Sequence, residues 1–155
     1  MGAGIGRVSE HMLLRLFDKV DIVEAEERFV EQAKKNLGEK LENAFCCRLQ
    51  DWRGNGSTAY DLIWIQWVLM YADDEELVRF LQRCIERTEL IGIKENILSA
   101  PDGTAHVDEE DHSIARSDAH FRRIFAKAGL KLIKSTMQQG FPKELYPVRM
   151  YLLSK

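Results

Sequence analysis

The chain is poor in cysteine: Cys46, Cys47 and Cys84 are the only three. Adjacent cysteines rarely bridge each other, and an odd count argues against a disulfide framework. A reducing compartment, cytosol or nucleus, is therefore expected. No apolar run approaches the roughly 20 residues needed to span a bilayer. The opening Met1-Gly2-Ala3-Gly4-Ile5-Gly6-Arg7 is not followed by the apolar stretch of a signal peptide. There is no basic excess either. Lys and Arg total 22 against 25 Asp and Glu, a net charge of −3. That removes a broad attraction to nucleic-acid phosphates and is compatible with a basic peptide partner. No G-x-S-x-G, P-loop, internal repeat or low-complexity tract is present.

What remains is an ordinary globular composition, 45% hydrophobic and 30% charged over 155 residues, enough for one domain with one core. Strand-like and helix-like patterns alternate. Val8 to Lys19 reads as an amphipathic helix, Val20 to Val23 as a short β-branched strand, and Glu26 to Leu37 as a helix closed by Gly38. Asn43 to Cys47 reads as a strand and Asp51 to Thr58 as a loop. Tyr60 to Val68 is a nearly continuous apolar run, as for a strand covered on both faces. A helix is expected over Asp73 to Arg87, a strand over Glu89 to Glu95, a polar loop over Ser99 to Asp111, and a helix over Ser113 to Ala128. Leu130 to Thr136 and Val148 to Leu153 follow each other without a helix, which predicts an antiparallel closing hairpin. The fold class is α/β, a mostly parallel sheet flanked by helices.

The first chemical signal is the glycine loop. Gly2 and Gly4 allow sharp turns and close approach to a ligand, and the next helix offers free N–H groups. The third glycine, Gly6, comes one residue early for a dinucleotide fingerprint. This disfavours a pyrophosphate cradle or NAD module and favours a loop against the amino-acid part of S-adenosylmethionine. The alternative is an ordinary glycine-rich turn. Glu24 stands 18 residues after Gly6, at a strand end where a carboxylate can accept from both hydroxyls of a ribose. Leu49-Gln50-Asp51 follows a strand and Gln66-Trp67 ends one, where open α/β sheets keep ligand sites. An indole there either belongs to the core or stacks on a ligand. Asn96 ends the next strand. The loop from His106 to His112 is dense in acids; it lacks the spacing of a metal site, and Asp108 and Asp111 suit a cationic substrate.

Gly2-Ala3-Gly4-Ile5-Gly6-Arg7, Phe45-Cys46-Cys47-Arg48-Leu49-Gln50-Asp51-Trp52, Tyr60 to Val68, Arg79-Phe80-Leu81-Gln82-Arg83-Cys84 and Ile93-Lys94-Glu95-Asn96 occur in one order. Together they resemble the eukaryotic N-terminal Xaa-Pro-Lys methyltransferases, also called α-N-methyltransferases. The resemblance runs from Gly2 to the C-terminus. It implies a Rossmann-like class I methyltransferase fold and S-adenosylmethionine as cofactor. It implies cofactor contacts at Gly2, Arg7, Glu24, Leu49, Gln50 and Gln66, with Glu24 standing where the family often has Asp. It implies a peptide groove at Trp67, Asn96, Asp108, Asp111, Ser113 and Tyr146. In that groove Trp67 would stack on the substrate proline, Asp108 would face its lysine and Asp111 would sit by the α-amine. Tyr71 stands where the family has a histidine thought to help remove the amine proton. Tyrosine, with an ordinary pKa near 10, is a poor base at neutral pH, which shifts that work toward Asp111. The implied partners are proteins with free Xaa-Pro-Lys N-termini, in cytoplasm and nucleus, with no nucleic acid and no membrane.

Two departures from the family shape the expectations. The family's first strand and the helices before it should precede Gly2, so the sheet is expected to be incomplete and the glycine loop to have a free end. The stretch from Thr88 to Lys94 is shorter than in the family, so the strand there is expected to be frayed or shifted. On this reading the chain as given is a weak or inactive enzyme. The alternative is a truncated relative that binds peptides or regulates a partner without catalysis.

Overall fold

The computed structural model describes residues 1–99, 105–142 and 144–155. The chain forms two compact units, Met1–Arg53 and Gly54–Lys155.

The first unit contains helix α1 (Arg7–His11), a 3-10 turn (Leu13–Arg15), strand β1 (Val20–Glu24), helix α2 (Glu27–Leu37) and strand β2 (Leu41–Cys46). The two strands pair in parallel. Helix α2 turns Val30, Ala33 and Leu37 inward, and Ala33 and Leu37 pack with Val20 and Ile22. The helix expected over Val8 to Lys19 ends early. Met12 leaves helical geometry, and the chain tightens into the 3-10 turn, which brings both Leu13 and Leu14 onto the core. Gly6, at φ 85°, lets the loop press on α2: a Cβ there would lie 3.3 Å from Ala33 and Leu37.

The expected free end of the glycine loop is not found. The Gly2 and Ala3 amides both donate to Val23 O, at 3.0 and 3.2 Å, so the loop starts from an anchored position beside β1.

The second unit contains β3 (Ile63–Gln66), a 3-10 turn (Leu69–Tyr71), α3 (Asp74–Ile85), β4 (Leu90–Leu98), β5 (Ala105–Val107), β6 (Ile114–Ser117), α4 (Asp118–Lys127), β7 (Lys131–Met137) and β8 (Val148–Ser154). Strand β4 is the spine of a six-stranded sheet ordered β5-β6-β4-β8-β7, with β3 also on β4. β3 runs parallel to its first half, β6 parallel to its last residues, and β8 antiparallel along most of its length. The expected closing hairpin is β7–β8, and β8 inserts between β4 and β7. Ile65, Phe80, Leu81, Ile91, Ile93, Phe121 and Leu153 are almost wholly enclosed. Helix α3 opens on a capping box, Asp73 accepting from Glu76 N while Glu76 accepts from Asp73 N.

Three expectations change here. The strand from Glu89 is not frayed; β4 is nine residues long and runs through the Lys94-Glu95-Asn96 segment. The polar loop over Ser99 to Asp111 contains β5; its residues 100–104 lie outside the described residues. The segment read as a helix from Ser113 is strand β6 up to Ser117, because the Ser117 hydroxyl caps α4 by accepting from His120 N.

Gly92 lies directly opposite Trp64 in the β3–β4 register, and a Cβ there would be 2.5 Å from Trp64 Cε3. Gly92→Ala is therefore expected to cost about 1–3 kcal/mol by forcing the indole aside. Urea unfolding of the variant against wild type checks this; an unchanged midpoint would contradict it.

Candidate functional site

In the first unit the candidate cofactor residues collect around the end of β1. Glu24 is half-buried there, and both of its oxygens are oriented by the main chain. Gly4 N donates to Oε2 at 2.9 Å and Glu26 N to Oε1 at 3.1 Å. A carboxylate has about four acceptor positions, so each oxygen retains one for a hydroxyl. Gly4 has φ 54°, and a Cβ on it would meet nothing within 4 Å, so that face of the loop is open. An open glycine loop beside an oriented carboxylate fits a ligand that carries a ribose diol. Arg7, at the start of α1, is exposed. Leu49 is only 4% exposed, so it offers a ligand its main chain rather than its side chain. Gln50, next to it, is half-buried.

In the second unit the candidate substrate residues gather along the second half of β4. Gln66 ends β3, and its Oε1 accepts from Trp64 Nε1 at 3.1 Å. Trp67 follows with φ 50°, a left-handed conformation that a bulky side chain rarely adopts. Three contacts with β4 accompany it: Trp67 N donates to Lys94 O, Trp67 Nε1 donates to Asn96 Oδ1 at 3.1 Å, and Lys94 Nζ stands 5.0 Å from the ring centre. The strained residue therefore presents a fixed indole, with Asn96 beside it. Tyr71 closes the 3-10 turn that begins at Leu69 and is 54% exposed. Tyr146 is exposed just before Pro147, whose carbonyl accepts from Ile97 N at 2.8 Å.

Asp108, Asp111 and Ser113 form one turn between β5 and β6. Asp108 N donates to Ser113 O, Asp108 Oδ1 accepts from Glu110 N at 2.8 Å, and Asp111 Oδ1 accepts from Ser113 N at 2.9 Å. The side-chain and main-chain hydrogen bonds of Ser113 hold the Asp111 carboxyl below the usual carboxylate range. That weakens Asp111 as a proton acceptor and makes it a more permanent negative charge. His106 and His112 lie on the same exposed hairpin, and no group of three or more metal-ligating side chains occurs among the described residues.

Two residues central to this geometry were not singled out from the sequence. Glu95, 1% exposed, accepts from Val68 N at 3.2 Å and Leu69 N at 3.0 Å through Oε2, and from Asn96 N at 3.2 Å through Oε1. Its signal was present: it falls in the apolar phase of Ile91, Ile93 and Ile97, where an acid is out of place. Arg116, wholly buried, donates to Ala72 O at 2.6 Å, to Leu69 O and Ile114 O at 3.3 Å, and to Asp74 Oδ1 at 2.8 Å. It was hidden inside the segment read as helix.

A sequence model of the AdoMet-dependent proline di-methyltransferases matches residues 1–154. Alpha N-terminal protein methyltransferase 1 of Schizosaccharomyces pombe is 41% identical over 98% of this chain and 69% of its own length. N-terminal Xaa-Pro-Lys N-methyltransferase 1 of Homo sapiens is likewise 41% identical, over 98% of this chain and 69% of its own. Among solved structures, a SAM-dependent methyltransferase of Leishmania major superposes with TM-score 0.90 at 32% identity, covering 99% of this chain and 62% of that one. The 1,6-didemethyltoxoflavin-N1-methyltransferase of Burkholderia thailandensis, at 16% identity and TM-score 0.81 over 99% of this chain and 68% of its own, shares the fold alone. The architecture is thus the Rossmann-like α/β fold of S-adenosylmethionine-dependent methyltransferases, as the resemblance implied.

Proposed function

This chain belongs to the AdoMet-dependent proline di-methyltransferase family, and from that premise we propose that it methylates the α-amine of protein N-termini of the Xaa-Pro-Lys kind. The observation that carries the reading is the strained Trp67, its indole tied to Asn96, in the same unit as the Asp108–Asp111–Ser113 turn. A flat apolar surface, an amide and two carboxylates are what a proline ring, a peptide group, a lysine and an α-ammonium each require.

Bound S-adenosylmethionine would supply an electrophilic sulfonium methyl. The chain's own part is to hold the partners and manage one proton. Glu24 and the Gly2–Gly4 main chain would hold the adenosyl and amino-acid ends, with Arg7, Leu49 and Gln50 of the same unit completing the contacts. Trp67 and Asn96 would fix the peptide backbone, with Ser113 and Tyr146 at its borders. Asp108 would take the lysine and Asp111 the α-ammonium. An α-amine titrates near 7.7–8.0, so a useful fraction is already neutral at physiological pH. Positioning therefore carries most of the rate. The low Asp111 carboxyl attracts the ammonium, whose proton passes on to water; Tyr71, an exposed side chain of the 3-10 turn, stands where the family has a histidine. The free thiols of Cys46, Cys47 and Cys84 support a cytosolic or nuclear setting.

The test is methyl transfer from S-adenosylmethionine to a synthetic Xaa-Pro-Lys peptide, read by mass spectrometry, with an N-acetylated peptide as control. Transfer to the free peptide alone supports the reading; none, with peptide still bound, supports a non-catalytic peptide binder instead. Glu24→Ala is expected to weaken S-adenosylmethionine binding about tenfold or more in calorimetric titration, by removing charge-assisted hydrogen bonds. Unchanged affinity would remove Glu24 from the site.

A further inference from the structure

Trp67 has a backbone conformation that it would not hold by itself, and the feature that enforces it lies one strand away. Glu95 is the acid on the apolar face of β4. One of its oxygens receives both amides that follow Trp67, those of Val68 and Leu69, while the other receives Asn96 N. Two of these bonds hold the turn immediately after Trp67, and the third orients the residue whose side chain holds the indole.

We propose that Glu95 is a positioning residue for peptide binding: by gripping the Val68, Leu69 and Asn96 amides it sets both the left-handed Trp67 and the Asn96 side chain that the substrate meets. This rests on the functional reading above. It adds a residue that touches no substrate and acts through two that do.

The groups around Glu95 define how it responds to pH. Arg116 faces it from β6, Arg149 stands opposite it in the β4–β8 register and pairs with Asp118 of α4, and Asp74 and His120 connect to it through Arg116. Lys94 is its neighbour on β4. Burial pushes the Glu95 carboxyl up to about 7 from 4.5, against the opposing pull of the Leu69, Asn96 and Val68 amides and of Arg116. Two opposite trends follow. A group raised in the folded state contributes stability below its unfolded value, near 4.5, and loses it as pH rises through about 7. The grip on the amides does the reverse, because ionisation gives both oxygens full acceptor capacity for the three N–H groups.

The experiment measures binding of an Xaa-Pro-Lys peptide whose N-terminus is already trimethylated, so that the ligand's own charge is fixed. Wild type is expected to bind it several-fold more tightly at pH 8 than at pH 6. Glu95→Gln keeps the shape but replaces one acceptor by a donor. It is expected to raise the peptide KM about tenfold, leave S-adenosylmethionine affinity within about twofold, and flatten the pH response. Glu95→Asp is expected to restore part of the pH response. If Glu95→Gln does not fold, the wild-type pH series decides alone: equal affinity at pH 6 and 8 overturns the proposal. Equal KM and equal pH response in wild type and Glu95→Gln overturn it while leaving the function intact. A wild type that neither binds nor methylates the peptide overturns the functional reading and this proposal together.

Discussion

Replacing Trp67 by alanine is expected to lower kcat/KM for an Xaa-Pro-Lys peptide by roughly a hundredfold. Buried aromatic anchors at a recognition site are worth about 2–4 kcal/mol, and 2.7 kcal/mol corresponds to about a factor of a hundred. Alanine removes the indole, its bond to Asn96 and its contact with Lys94, yet still has to adopt φ 50°. Glycine at the same position also removes the indole but takes that conformation without strain. The two variants should therefore lose activity equally while differing in stability by about 1 kcal/mol in favour of glycine. Steady-state methylation and thermal unfolding of both variants provide the check. If either keeps near wild-type kcat/KM, the indole does not hold the substrate.

Arg116→Met is expected to be the most destabilising single change, at about 3–5 kcal/mol. The guanidinium is fully buried and binds two carbonyls of the Leu69–Ala72 stretch, one of its own strand, and the Asp74 carboxylate. Methionine fills the volume but leaves Leu69 O and Ala72 O without a donor, at about 1–3 kcal/mol each. It also removes the positive charge that faces Glu95. Asp74 shows how strongly the cluster is coupled. Burial raises its carboxyl, but hydrogen bonds from His120 and Arg116 outweigh that and hold it below the usual range. Arg116→Lys keeps the charge with fewer donors and is expected to lose less. Urea unfolding ranks the three proteins; a methionine variant as stable as wild type would show the cluster to be energetically neutral.

The sequence made some of this legible and concealed the rest for specific reasons. β-branching located β1, a continuous apolar run located β3, because a strand covered on both faces is apolar throughout, and the helix-free succession of two apolar stretches located β7 and β8. The apolar run from Tyr60 to Val68 overstated β3, which stops at Gln66 because Trp67 turns left-handed, and hydrophobicity carries no record of φ. At the other end of the run, before β3 begins, Tyr60 forms an isolated parallel bridge to Thr88. Ser113 to Ala128 looked helical because Ile114 and Ala115 fit a helical stripe as well as a strand. The Ser117-Asp118 pair was the discriminating signal, a cap followed by an acid in the first turn. Of the site, Glu24, Trp67, Asn96 and the Asp108–Ser113 turn came from strand-end position and family resemblance. Arg116 and Glu95 did not, since their importance lies in what they bind across strands, which no local pattern records.

The burial of Cys84 has a consequence for watching this protein at work. Its thiol sits on the inward face of α3 with no exposed surface, and burial pushes its pKa up to about 12. Only a thiolate is alkylated at a useful rate, so at neutral pH Cys84 is silent for as long as α3 stays on the sheet. Cys46, by contrast, is exposed and open to reagent at once. The slow thiol is therefore a built-in clock: its labelling rate counts how often α3 lifts and re-seats, with the fast thiol reading the reagent in the same tube.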